Sequence, residues 1–77
     1  EKQLEKITVM IDEATLDDTL VTDLASVVED NRGRSKLYIQ LHTDTQGNLL
    51  MVSRQGVDVN RKFLQYLDGN DLRYKVN

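Results

Sequence analysis

The feature that most constrains the fold of this chain is the order in which two apolar periodicities follow one another. Strand-like alternation occurs in three stretches, residues 7–11, 37–41 and 72–76. Between the first two, residues 16–28 carry apolar side chains at helical spacing, with acidic residues on the remaining face. Thr15 is placed to cap the start of this helix, and Gly33 is placed to end it in a left-handed conformation.

The middle of the chain predicts a hairpin followed by a shorter helix. The turn-forming residues 44–47 separate the second strand from a third strand over residues 48–54. Asn60 is a suitable N-cap for the second helix, and Gly69 is placed at its end. The predicted order of elements is therefore β-α-β-β-α-β.

This order predicts an α+β fold with two layers, a four-stranded sheet carrying two helices on one face, ferredoxin-like in topology. Because crossover connections are right-handed, the first two strands should be parallel, and the hairpin should add an antiparallel neighbour. The pattern does not fix the order of the strands in the sheet. We interpret residues 1–6 as the end of a linker and residues 7–77 as a single interaction domain. The chain begins with Glu1 rather than Met, so we expect it to be part of a larger polypeptide.

Composition argues against several classes of protein. Ten Lys and Arg face 13 Asp and Glu, and the basic residues are scattered, which argues against a nucleic-acid-binding module. The chain has no cysteine, which excludes disulfides and thiolate chemistry and fits a cytoplasmic location. The longest apolar run, residues 49–52, is far shorter than the roughly 20 residues that a membrane span needs.

Candidate catalytic and metal-binding residues are few, and each has a structural explanation. His42 is the only histidine, and its position on a half-exposed strand provides no reacting group for a general base. The helix dipole favours acids at a helix N-terminus, which explains an acidic cluster that could otherwise be interpreted as a Mg²⁺ site. This cluster consists of Asp12, Glu13, Asp17 and Asp18. We therefore expect no catalytic residue, no metal and no cofactor.

The remaining candidate is a surface. If the alternating apolar residues of the strands face the helices, the opposite face of the sheet is open to contact. A mixed polar and apolar face suits a protein partner better than water. We therefore predict a partner-binding face, which Leu49 or Met51 would extend. Its predicted members are Met10, Tyr38, Gln40, His42, Arg73 and Lys75.

Several short motifs follow one another in a specific order along nearly the whole chain. They are Ile7-Thr8-Val9, Leu16-Asp17-Asp18, Leu20, Leu24, Asn31-Arg32-Gly33, Leu37-Tyr38-Ile39, Val57 with Val59, Phe63-Leu64, Leu67, Gly69 and Leu72-Arg73-Tyr74-Lys75-Val76. This ordered set resembles the extreme C-terminal domain of the bacterial DNA polymerase III α subunit. Two positions depart from the family pattern. Val57 stands where many members have tryptophan, and the segment before Phe63 lacks the proline and the additional residues of other members.

The resemblance implies a non-catalytic C-terminal module of a DNA-directed DNA polymerase whose active site lies far upstream. It also implies a protein partner, the τ subunit of the clamp loader, to which this end of the polymerase is tethered. Asn77 would then lie at or near the natural C-terminus of the α subunit. We expect the contact on the last strand and the open sheet face, and we do not expect direct binding of nucleic acid by this domain.

Two other functions share the predicted architecture. Small-molecule regulatory domains of the ACT type have the same order of elements, although they usually need glycine in the first strand–helix loop, where this chain has Glu13 and Ala14. A single-stranded nucleic-acid platform would stack bases on a sheet aromatic such as Tyr38. A thermal shift induced by amino acids would indicate the first function, and salt-sensitive oligonucleotide binding would indicate the second.

Overall fold

The predicted order of elements is present in the computed structural model, which describes residues 6–77. The elements are β1 (Lys6–Asp12), a short 3₁₀ turn (Glu13–Thr15), α1 (Asp18–Asp30), β2 (Arg32–Thr43), β3 (Gly47–Val52), α2 (Arg61–Gly69) and β4 (Arg73–Val76). Lys6, assigned to a linker from the sequence, is the first residue of β1, and the rest of that assignment lies outside the described residues. The predicted α+β fold is confirmed.

The four strands form one mixed sheet in the order β3-β2-β1-β4. β1 and β2 are parallel, as predicted from the handedness of the crossover, and β3 and β4 each pair antiparallel with their neighbour. The ferredoxin-like description holds for the order of elements along the chain. Within the sheet, β1 and β2 are immediate neighbours, whereas in the split β-α-β arrangement another strand separates them.

The hydrophobic core lies between the centre of the sheet and the two helices. Ile7 and Val9 of β1 are fully buried, and so are Phe63 and Leu67 of α2. α1 contributes one buried residue, Val28, so this helix covers the sheet less completely than α2 does. The buried hydrophobic residues are Ile7, Val9, Ile11, Val28, Leu37, Val57, Phe63, Leu67 and Leu72.

The ends of α1 differ from the prediction at both caps. Asp17, rather than Thr15, caps its start, because the Leu20 N–H donates to Asp17 Oδ1 at 2.8 Å. Thr15 lies in the preceding 3₁₀ turn. Asn31, rather than a left-handed Gly33, follows the last turn of the helix, and its side-chain amide donates to the Val27 carbonyl at 2.9 Å. Gly33 belongs to β2.

The N-cap predicted for α2 is confirmed. The Phe63 N–H donates to Asn60 Oδ1 at 2.9 Å, and the Asn60 amide also donates to Asn31 Oδ1 at 3.0 Å. One asparagine thus caps α2 and ties it to the end of α1. Gly69 is the last residue of α2, but the left-handed conformation beyond the helix belongs to Asp71, with φ of 56°.

Gly33 is required for packing. Its N–H donates to the Gly56 carbonyl at 3.2 Å, so the start of β2 lies directly against the segment that precedes α2. A Cβ on Gly33 would lie 2.7 Å from the Cα of Asp58. Any side chain at this position would force the two backbones apart.

We predict that Gly33→Ala lowers the free energy of unfolding by about 1–3 kcal/mol, because the added methyl overpacks a backbone contact. Gly69→Ala is the matched control. A Cβ there has no neighbour within 4 Å, and alanine is the better helix former by up to about 1 kcal/mol. Urea unfolding of both variants measures the difference, and a Gly33→Ala variant as stable as the wild type would contradict the prediction.

Candidate functional site

All six residues predicted to contact a partner lie on the open face of the sheet, away from the helices. Residues that stand opposite each other on paired strands share a face, so the register gives their positions. Their common position is confirmed, and their binding of a partner stays a prediction. Read from β2 through β1 to β4, the rows are Tyr38–Thr8–Lys75 and Gln40–Met10–Arg73, with His42 beside Asp12 in the next row.

One end of this open face is hollowed. Met10, Gln40, His42 and Arg73 line a depression of about 420 Å³, together with Asp71 from the turn before β4. Its lining mixes apolar and charged groups, and it is open to solvent. Such a depression suits a protruding side chain of a partner better than an enclosed substrate.

His42 is exposed and oriented by an amide. Its Nδ1 lies 2.9 Å from Asn48 Oδ1 on β3. This hydrogen bond raises the pKa of His42 above its ordinary value of about 6.5, because it favours the protonated imidazole, and the carboxylates of Asp12 and Asp44 act in the same direction. A side-chain amide does not take up or relay a proton, so the pair orients the ring but does not form a proton relay.

Two of the four acidic residues considered as metal ligands act as caps near the start of α1. The Ala14 N–H donates to Asp12 Oδ1 at 2.9 Å, and Asp17 caps α1. Within residues 6–77, no three His, Asp or Glu side chains lie close enough to hold a metal ion. The two capping carboxylates therefore stabilise local backbone structure.

Charge is distributed unequally between the two sides of the domain. α1 carries four acidic residues and no basic one. The open sheet face is basic by contrast, and the Lys6 ammonium lies 5.4 Å from the centre of the Tyr38 ring, within cation–π distance. The basic residues of this face are Lys6, Lys36, Arg73 and Lys75. An approaching partner would therefore meet opposite potentials on the two sides.

The exposure of β3 was not predicted from the sequence. Leu50 and Val52 lie on the open face and expose 62% and 61% of their surfaces. Leu49 and Met51, proposed as additions to the open face, lie on the helix side because Met51 stands opposite Ile39, so that proposal was wrong. Even there they remain 38% and 45% exposed. Both faces of β3 thus present apolar side chains to water.

An apolar groove adjoins β3 on the helix side. It is lined by Leu16, which precedes α1, by Val21 on the outer flank of α1, and by Met51 of β3. Leu16 and Val21 are 37% and 52% exposed. The groove has a volume of about 290 Å³ and is open to solvent. It is the size of a recess for partner side chains. The signal that could have indicated it is the apolar run 49–52, which has no polar face.

The fold and this site define a small α+β domain with an open sheet face, an exposed apolar strand and an apolar groove. The sequence model of the family described as DNA polymerase III alpha subunit, C-terminal domain, matches residues 7–77, and the chain belongs to this family. A comparison with curated proteins gave no match. Membership confirms the resemblance and gives the chain a place in DNA replication, as an accessory domain outside the catalytic part of the α subunit. No helix within residues 6–77 is long and apolar enough to cross a membrane.

We predict that Asn48→Ala lowers the pKa of His42 toward its ordinary value, because the variant removes the largest cause of the upward shift. Since the folded pKa is the higher one, the stabilisation from this contact is fully present below the unfolded pKa of about 6.5 and is lost as pH rises through the folded pKa. NMR titration of the imidazole resonances measures the change. Gln65→Ala, on the exposed side of α2, is the control, and an unchanged pKa in Asn48→Ala would contradict the prediction.

Proposed function

We propose that this domain is a non-catalytic docking module that tethers the polymerase α subunit to the τ subunit of the clamp loader in the cytoplasm. Membership in the family supports the setting in a replicative polymerase. The observation that carries the docking function is the apolar strand β3, whose Leu50 and Val52 are more than half exposed. A contact surface of this kind needs no bound cofactor.

The exposed side chains of β3 and α1 are a substantial source of binding free energy. Moving a leucine, valine or methionine side chain from water to a buried site is worth about 1.5–3 kcal/mol. Leu50 and Val52, the most exposed of these side chains, would gain most of this free energy on burial in a complex. Leu49, Met51 and Val21 would gain part of it. Ordering both partners costs several kcal/mol, so the complex depends on these few side chains.

The apolar strand and the predicted open face form one continuous surface. Leu50 stands opposite Gln40, and Val52 stands opposite Tyr38. We define these four residues as the docking surface. His42, Arg73 and Lys75 lie beside or beyond it on the same face, where they would contribute the polar rim that surrounds the apolar centre of most interfaces, and Met10 would add apolar surface.

A second candidate function follows from the charge of the open face. Its four basic residues share this face with Tyr38, and single-stranded nucleic-acid platforms combine basic residues with aromatic ones. Against this, the whole chain has a net charge of −3, which weakens phosphate binding. The apolar β3 also has no role in such a platform. We therefore favour protein docking.

We predict that deleting residues 7–77 from the full-length α subunit lowers its affinity for τ at least about tenfold, because the docking surface is lost. Primer extension by the α subunit alone should stay within about twofold of the wild type, since the domain lies outside the catalytic part. Equilibrium binding to purified τ and primer extension on a primed template measure the two effects.

A deletion variant that binds τ as well as the wild type would contradict the proposed function. Oligonucleotide binding discriminates the second candidate. Binding that weakens steeply with salt, and that is lost in an Arg73→Glu/Lys75→Glu variant with τ affinity unchanged, would favour the nucleic-acid platform.

A further inference from the structure

β3 has the composition of an internal strand although it lies at the edge of the sheet. Strands covered on both faces have continuous apolar runs, whereas strands with one face in water alternate. Residues 49–52 are an uninterrupted apolar run, yet every residue of Gly47–Val52 is exposed. Both faces of β3 therefore lack the cover that such a sequence normally has.

The other edge of the sheet is protected in the usual way for an edge strand. β4 has four residues, and Arg73 and Lys75 place charges along it. Charged side chains, prolines and bulges discourage a further strand from pairing with an edge. β3 has six residues, none of which is charged or proline. The two edges differ in the feature that decides whether a strand can be added.

The backbone of β3 offers hydrogen-bonding groups at its outer edge. In an antiparallel pair, residues alternate between those that bond across the pair and those whose N–H and C=O point away. The Ser53 N–H donates to the Leu37 carbonyl at 2.9 Å, so the odd-numbered residues of β3 bond to β2 and the even-numbered ones point outward. The outward residues are Asn48, Leu50 and Val52.

We propose that β3 accepts an extended segment of the partner as an added strand and becomes an internal strand of a larger sheet. This inference rests on the proposed docking function and specifies how docking occurs. The added strand would bond to the outward backbone groups and place side chains beside Leu50 and Val52 on the open face. Its alternate side chains would lie beside Leu49 and Met51, under α1.

The apolar residues on both faces of β3 favour a strand over a helix as the occupant. A helix lying in the apolar groove would cover Met51, the residue of β3 that lines it. Leu50 and Val52 would then stay 62% and 61% exposed in the complex. An added strand covers Leu49 and Met51 on one face, covers Leu50 and Val52 on the other, and also satisfies the edge backbone.

The surroundings of β3 indicate the chemistry of the added strand. It would run next to the outer flank of α1, where Asp18 is the helix-surface neighbour of Val21. Glu29, the neighbour of Ala25, forms an ion pair with Arg32 at 3.5 Å, so Asp18 is the carboxylate that the added strand would meet here. α1 has four acidic residues and no basic one. The partner segment is therefore apolar on both faces over the length of residues 49–52 and carries Lys or Arg on the side of α1.

The acidic charge of α1 argues against a second copy of this chain as the source of the added strand. Antiparallel pairing of β3 with β3 of another copy in one continuous sheet would place the two α1 helices side by side on the same face. Each of these helices carries four acidic and no basic residues, so they would repel each other. The added strand thus comes from a different protein.

The test measures τ binding by variants of the full-length α subunit. Leu50→Lys places a charge on the free edge at a side chain that is 62% exposed, so the fold accommodates it. We expect the affinity for τ to fall at least about tenfold. Val52→Thr keeps strand propensity, removes apolar surface and should weaken binding in the same direction. Gln65→Lys adds the same charge on the exposed side of α2 and should stay within about twofold of the wild type.

Each outcome decides one point. Wild-type α that fails to bind τ would overturn the proposed function itself. If the wild type binds τ, and Leu50→Lys and Val52→Thr bind it as tightly as Gln65→Lys does, the added strand would be overturned and the docking function would stand. If only Met51→Lys loses τ binding, the occupant would be a helix in the groove. If α dimerises and Leu50→Lys abolishes the dimer, the occupant would be a second copy of the chain. Either result would overturn the added strand.

Discussion

The structure depends on the burial of β1 between β2 and β4 and beneath α2. Ile7 and Val9 of this strand are fully buried, and they meet Phe63 and Leu67, the fully buried residues of α2. A domain of this size buries only about 60% of the surface that its unfolded chain exposes, so its core cannot extend everywhere. Here the buried residues are concentrated on β1 and α2. β3 and the outer flank of α1 are left apolar and exposed as a consequence.

The arrangement of the helices explains why the exposed apolar surface forms one region. The Asn31–Asn60 contact fixes the end of α1 next to the start of α2, and α1 lies with one flank toward the core and the other toward β3. Val21 on that second flank and Leu16, just before the helix, face the same groove as Met51. A partner that reaches the free edge of β3 therefore meets the flank of α1 at the same time. The acidic residues of α1 and the basic open face would orient its approach.

Much of the fold was predictable because local rules and global packing agree. Alternation identified β1, helical spacing identified α1, and Asn60 caps α2 as expected. The same alternation placed all six open-face residues on one side of the sheet. The predicted caps of α1 were wrong at both ends. At the start, Asp17 rather than Thr15 accepts the capping hydrogen bond. At the end, Gly33 is required by its close approach to the Asp58 backbone and not by a left-handed turn.

The exposed part of the site was not predictable, for a physical reason. Whether residues 49–52 form an internal or an edge strand depends on the strand order, which is set by long-range pairing and leaves no local pattern. An apolar run is compatible with burial on both faces, so the sequence alone favours an internal position. The exposure of Leu50, Val52, Leu16 and Val21 became visible only when β3 was placed at the edge. The mismatch between composition and position is the observation that supports the proposed docking mode.

The most direct measurement is amide hydrogen exchange of the full-length α subunit with and without τ, resolved to single residues over β3. The account predicts slower exchange in the complex at Asn48, Leu50 and Val52, whose N–H groups point out from the edge, with no change along β4. The inward amides of Leu49 and Met51 already bond to β2 and should change little. Exchange at the three outward amides that is as fast in the complex as in free α would contradict the account.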